Sequence, residues 1–187
     1  MLKAVCFDAF GTLIQRTTPR EPYGALREHM TSREIMTSKQ SIGMLLANVG
    51  KLHLRDQAIA EFDIDFAGCR PYPDTLQAIN LVREHGLKIA VCSNLAPLYS
   101  RVVSDLVPYS DAWVYSYRVG AIKPEPEIYQ EVCNQLTLAP NEILFIGDSK
   151  KNDYECPIAF GMQAAWLNRT AGKTLLDVLS TVTLRYQ

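Results

Sequence analysis

Residues 4–13 read Ala4-Val5-Cys6-Phe7-Asp8-Ala9-Phe10-Gly11-Thr12-Leu13. Four apolar residues run straight into a carboxylate and then into a Gly-Thr turn. That is the pattern of a buried strand whose carboxyl end delivers Asp8. Open α/β sheets bind their ligands at that edge, so Asp8 stands where a nucleophile belongs.

Three further segments repeat the pattern: Ala90-Val91-Cys92-Ser93-Asn94, then Ala121-Ile122-Lys123-Pro124, then Leu144-Phe145-Ile146-Gly147-Asp148-Ser149 with Asp153 beyond it. Each places a polar group after a strand end or near where one is expected. In this order and spacing the set resembles the haloacid dehalogenase-like (HAD) hydrolase superfamily, and the resemblance runs from Lys3 to about Asn168. One departure stands out. Most phosphatases of that family carry a second Asp two residues after the nucleophile, where this chain has Phe10.

Candidate strands at residues 2–7, 88–92, 112–115, 143–146 and 164–167 are mostly separated by helical patterns. Such alternation predicts an α/β, Rossmann-like fold, with a mainly parallel five-stranded sheet and helices on both faces. Before the second strand, Pro73 and Asp74 open a helix, Leu76, Ile79 and Val82 mark its inner face, and Gly86 ends it. A helix over residues 126–136 places Ile128, Tyr129, Val132, Cys133 and Leu136 on one stripe. Between Leu13 and about Arg70 strand signals vanish, and two apolar stripes appear, Ile42, Leu45, Leu46 and Val49, then Ala58, Ile59 and Phe62. The expected organisation is therefore a core of residues 1–14 and 71–187 with a small helical cap at 15–70. The cap corresponds to one found at that position in many relatives. The tail, residues 170–187, reads as a closing helix through Leu175, Leu176, Val178, Leu179 and Val182.

A chain of 187 residues can bury one core without staples. With 19 basic and 20 acidic residues and no basic run, nucleic acid is not the expected partner. The apolar runs are of strand length and the N-terminus enters the first strand at once, so neither a signal peptide nor a membrane span is expected. The expected setting is cytoplasmic, with a small-molecule substrate. The five cysteines form no Cys-x-x-Cys pair, which argues against a disulfide framework or a zinc site. Cys6 and Cys92 read as small buried hydrophobes, Cys92 as a nucleophile being the lesser alternative. His29, His53 and His85 are read as surface residues, and Trp113 and Trp166 as core. Glu61, Asp63 and Asp65 read as a solvated face.

A carboxylate can attack phosphorus or carbon and split one displacement into two. A phosphate ester approaching Asp8 needs positive charge, which Lys123 and a Mg²⁺ ion can supply. By the resemblance, Mg²⁺ is held by Asp8, the backbone carbonyl of Phe10 and Asp148, with Asp153 either a further ligand or, like Asn152, a helix cap. The resemblance also assigns the Ser93 hydroxyl to the transferring phosphoryl group. Asn94 and the amides of Gly11 and Thr12 are candidate anion donors. Phe10 cannot transfer a proton, so the leaving group becomes the open question. The readings are a Mg²⁺-dependent phosphatase lacking its usual acid, a 2-haloacid dehalogenase with Arg27 or Arg33 on the halide, and a catalytically quiet binding protein. A phosphonate-cleaving relative would need a Schiff-base lysine, with Lys39 and Lys51 as candidates.

Overall fold

The computed structural model describes residues 1–107 and 109–183. Its strands are β1 (Ala4–Phe7), β2 (Ile14–Arg16), β3 (Cys69–Pro71), β4 (Lys88–Ser93), β5 (Ala112–Tyr115), β6 (Ile143–Gly147) and β7 (Gln163–Trp166). The helices are α1 (Ser32–Thr37), α2 (Ile42–Asn48), α3 (Arg55–Ala67), α4 (Thr75–Glu84), α5 (Pro97–Leu106), α6 (Ser116–Val119), α7 (Pro126–Leu136), α8 (Cys156–Phe160) and α9 (Leu175–Thr183). The Val182 side chain and residues 184–187 of the expected closing helix lie outside what is described.

The main sheet has the order β5-β4-β1-β6-β7, and every neighbouring pair is parallel. Strand β1 is central: Phe7 registers with Val91 on one side and with Ile146 on the other. That register brings the ends of β1, β4 and β6 to one edge. All four residues of β1 are buried, as a strand covered on both faces requires. Val5 and Phe7 face a core shared with Ile79 and Val82 of α4 and Leu175 of α9. Ala4 and Cys6 face the opposite core, filled by Ile128, Tyr129 and Val132 of α7. Burying each such large side chain contributes roughly 1.5–3 kcal/mol.

Helix α7 buries the five residues predicted for it. Helix α4 differs at one position: its inner face is Thr75, Ala78, Ile79 and Val82, while Leu76 is exposed. At 3.6 residues per turn Leu76 lies about 120° around the axis from Val82, outside the buried stripe.

The insertion is not purely helical. Strands β2 and β3 pair antiparallel, with Ile14 opposite Pro71 and Arg16 opposite Cys69. Three-residue strands are too short to show an alternating pattern. Between them, α1, α2 and α3 bury Ile35, Ile42, Leu45, Leu46 and Ala58 in a cluster of their own, joined by Ala96 and Tyr99 from the α5 region. Among the described residues no helix is long and apolar enough to cross a membrane.

Candidate active site

Asp8 follows β1, anchored by its amide donating to the Ile146 carbonyl at 2.9 Å. Its carboxylate is buried against Lys123, whose ammonium donates to Asp8 Oδ1 at 2.7 Å and to Asp153 Oδ1 at 2.6 Å. All three side chains are nearly sealed, with Lys123 only 4 % exposed and Asp153 1 %. Burial drives the Asp8 carboxyl up to about 7; the Lys123 charge opposes this and Asp153 adds to it. Burial also works against the charge on Lys123, but Asp8 and Asp153 outweigh it and hold its pKa well above the ordinary value.

The loop from β6 supplies the remaining acids. Asp148 is exposed, and its carboxyl is raised by desolvation and by Asp153. The Trp166 indole donates to the Asp148 carbonyl at 2.8 Å, and Trp166 itself is 39 % exposed. It is thus an edge-strand brace for this loop, not the core residue expected. Asp153 Oδ2 accepts the Ser149 amide at 3.0 Å. The helical turn here is capped by Ser149, whose hydroxyl accepts from the Asn152 amide. Neither Asn152 nor Asp153 is its cap, which removes the capping alternative for both.

Carboxylate oxygens of Asp8, Asp148 and Asp153 lie within 4.8 Å of one another. Two glycines permit this. A Cβ on Gly11, whose φ is +87°, would lie 2.3 Å from Asp148 Oδ2, and one on Gly147 would lie 2.4 Å from Asp153 Cγ. With all three ionised, as a cation requires, the carboxylates against one ammonium leave two negative charges, and hard oxygen donors suit Mg²⁺. Among the described residues no donor bonds the Phe10 carbonyl, so the donor set fits such an ion.

The turn after Asp8 corrects one expectation. The Gly11 amide donates to Ile14 O at 2.8 Å and the Thr12 amide to Ala9 O at 3.3 Å, so both are turned inward. The amides without an internal acceptor among the described residues are those of Ala9 and Phe10. The tight 9–14 turn consumes the later donors and leaves the earlier ones free. Thr12 instead presents its hydroxyl to Asp8 Oδ2 at 3.5 Å. From behind, Arg169 donates to the Thr12 carbonyl, pairs with Asp74 at 3.1 Å and stacks on Tyr72 with 3.7 Å to the ring centre.

Ser93 is buried at the end of β4. Asn94 serves differently from the anion donor expected: its Nδ2 donates to the Lys123 carbonyl at 2.9 Å, and its Oδ1 accepts the Lys123 amide at 2.7 Å. It orients the lysine.

Phe10 meets Tyr99 of α5 edge to face at 5.6 Å. Tyr99 in turn donates to Asp65 at 2.6 Å. Asp65 is fully buried and bidentate with Arg16, at 3.0 and 2.6 Å. The solvated-face reading therefore fails for Asp65, because the helical period of α3 turns it inward with Ala58 and Phe62. Together Phe10, Tyr99, Arg16 and the α1 region enclose a cavity of about 200 Å³ that also reaches Asn94.

The other candidates lie apart. Arg33 pairs with Glu125 and Arg27 with Glu21, each at 2.6 Å, so each guanidinium already has an acidic partner. Cys92 is fully buried beside Cys6, and all five cysteines are free. His29, His53 and His85 are exposed, as expected, and so is Lys39. Asn94's clamp, Arg169 and Asp65 were not legible beforehand; for Arg169 no local signal exists, since it lies 157 residues from Thr12.

A parallel α/β sheet carrying a strand-end carboxylate, a buried lysine and an acidic loop at one edge defines a class of hydrolytic fold with an aspartate nucleophile candidate. A model of the haloacid dehalogenase-like hydrolase family matches residues 2–161. The chain belongs to that family. It is 30% identical over 114 residues to a glyceraldehyde 3-phosphate phosphatase of Methanopyrus kandleri, an alignment covering 59% of this chain and 49% of the relative. The chain thus spans about half the length of that curated relative. Among solved structures, a HAD family enzyme of Bacteroides thetaiotaomicron in complex with magnesium and inorganic phosphate superposes with a TM-score of 0.70 at 17% identity. That match covers 90% of this chain and 95% of the other. An L-2-haloacid dehalogenase superposes with a TM-score of 0.64 at 23% identity, covering 90% and 86%. At these identities the structural matches speak for the fold, which phosphatases and dehalogenases share.

Proposed function

We propose that this protein is a Mg²⁺-dependent phosphatase of a small phosphorylated metabolite, with Asp8 as nucleophile. The observation that carries the reading is the three-carboxylate cluster around one buried lysine, Asp8, Asp148, Asp153 and Lys123. Asp8, the Phe10 carbonyl and Asp148 would hold the ion, with Asp153 beside them. Once bound, Mg²⁺ supplies the positive charge that lets a phosphate ester approach a carboxylate.

Asp8 attacks phosphorus, the ester P–O bond breaks, and its electron pair leaves with the departing oxygen. Water then attacks the aspartyl phosphate, which restores Asp8 and releases inorganic phosphate. Lys123 neutralises charge on Asp8 and Asp153 throughout, and Asn94 fixes where that ammonium sits. The free Ala9 and Phe10 amides and the Ser93 hydroxyl would receive phosphoryl oxygens, and Thr12 would orient Asp8. The 15–70 insertion would act as the cap that covers this edge.

Against halide chemistry, both candidate arginines are already paired. The test is a panel of phosphate esters and 2-haloacids, each with and without Mg²⁺, with Asp8→Asn as control. The expected result is Mg²⁺-dependent phosphate release by the native protein and none by a folded Asp8→Asn variant. Metal-independent halide release would replace this reading by the dehalogenase one, and silence in both arms by the binding protein.

A further inference from the structure

The cavity over Phe10 has a shape and charge that the reaction itself does not require. Its walls include Phe10, Tyr99, Ile35 and Leu95, with a volume of about 200 Å³. An apolar cavity of about 150 Å³ holds a benzene molecule. The cavity meets the reaction centre at two points, Phe10, two residues beyond the nucleophile, and Asn94, which clamps Lys123. A phosphate ester held at Asp8 would have this cavity beside it for its leaving group.

Two polar features mark its upper wall. The Tyr23 side chain is buried there, with its hydroxyl against the Leu98 backbone. Three arginines line the cavity, of which Arg16 is answered by Asp65 and Arg27 by Glu21. Arg20 forms no ion pair among the described residues, while its carbonyl accepts from Arg16 at 2.8 Å and so keeps its backbone in place. One cation facing an apolar, ring-sized space is complementary to an aromatic acid.

Phe10 is the residue that takes the place of a proton donor, and it is a wall of the cavity. A phenol leaves with a pKa of about 10, as for tyrosine, and so departs with little need of the general acid that Phe10 cannot be. Resting on the phosphatase reading above, we propose that the substrates are aryl phosphates whose ring occupies this cavity and carries an acidic substituent read by Arg20.

The probes are acetyl phosphate, phenyl phosphate and 4-carboxyphenyl phosphate, with the product 4-hydroxybenzoate as a ligand that needs no turnover. The native protein is expected to favour the carboxylated ester over phenyl phosphate by about tenfold in kcat/KM, the scale of a charge-assisted hydrogen bond. Arg20→Gln, an exposed position, should erase that preference, leave acetyl phosphate unchanged and weaken 4-hydroxybenzoate binding by a similar factor in calorimetry. Met36→Trp, which fills the cavity from the α1 side, should raise KM for both aryl esters only. Equal kcat/KM for all three esters, unmoved by Arg20→Gln, would overturn the proposal. So would equal damage to all three by Met36→Trp in a folded protein. Failure of the phosphatase reading looks different: no ester is cleaved, and Arg20-dependent binding of 4-hydroxybenzoate then upholds the aromatic-acid site while removing its assignment to a leaving group.

Discussion

Asn94 and Lys123 are locked together by a reciprocal pair of hydrogen bonds, the Asn94 side chain accepting the Lys123 amide at 2.7 Å and donating to its carbonyl at 2.9 Å. The pair joins the end of β4 to a loop 29 residues on. It fixes the backbone from which the Lys123 ammonium reaches two carboxylates. Asn94→Ala should therefore cost about 1–3 kcal/mol of stability, because two backbone groups lose their partner. Turnover should fall through kcat more than through KM, since the misplaced group is the lysine. Asn94→Asp keeps the acceptor for the amide and should recover part of the loss. Denaturant melts beside steady-state kinetics check this, and an Asn94→Ala protein with native kcat would contradict it.

The second prediction concerns protons at Asp8. With its carboxyl raised to about 7 by burial, the metal-free folded protein holds a proton there that the unfolded chain sheds near pH 4. The folded state then binds more protons, so this group's contribution to stability declines as pH rises through the window from about 4 to 7. A cation requires the ionised form. Mg²⁺ binding at about pH 6 should release a proton, and at about pH 8 should release none. Calorimetry in two buffers of different ionisation heat reads this directly, as apparent enthalpies that differ at the lower pH and coincide at the higher. Asp148→Ala should weaken Mg²⁺ at both; equal affinity in that variant would remove Asp148 from the ligand set.

Phe10 yields the third. Without a general acid, log(kcat/KM) should fall steeply as leaving-group pKa rises, with aryl and acyl phosphates turned over well and alkyl phosphates poorly. Phe10→Asp should flatten that slope and recover part of the roughly 10²–10⁴-fold general-acid effect for alkyl esters. It also removes the edge contact with Tyr99, so folding and Mg²⁺ affinity are measured alongside. A native slope near zero would show that protonation is supplied elsewhere.

Much of this architecture was readable in advance because buried parallel strands write themselves as apolar runs. Residues 4–7 and 143–146 are each followed within two residues by an acid, Asp8 and Asp148, so strand and station are found together. Helix α7 was equally plain, its stripe having five members at helical spacing. What could not be read depended on partners remote in sequence. Asp65 looks like one acid among three, and only the packing of α3 against Tyr99 and Arg16 singles it out. The Gly11 and Thr12 amides were misjudged because a turn's internal bonds, here to Ile14 and Ala9, are invisible without its backbone path. The short β2–β3 pairing failed for want of length.

The first strand of the chain is also the middle strand of the sheet, and this has a consequence for biosynthesis. Strand β1 cannot acquire its neighbours until β4 and then β6 have been made, the latter ending at Gly147. At about 5–20 residues per second, roughly 7–28 s separate synthesis of Phe7 from that of Gly147. Until β4 is complete at Ser93, Ala4-Val5-Cys6-Phe7 is an apolar segment with both hydrogen-bonding edges bare, and the β6 side stays bare to the end of the interval. The segment that leads into Asp8 is thus an aggregation-prone stretch of the nascent chain and a fit recognition element for a chaperone.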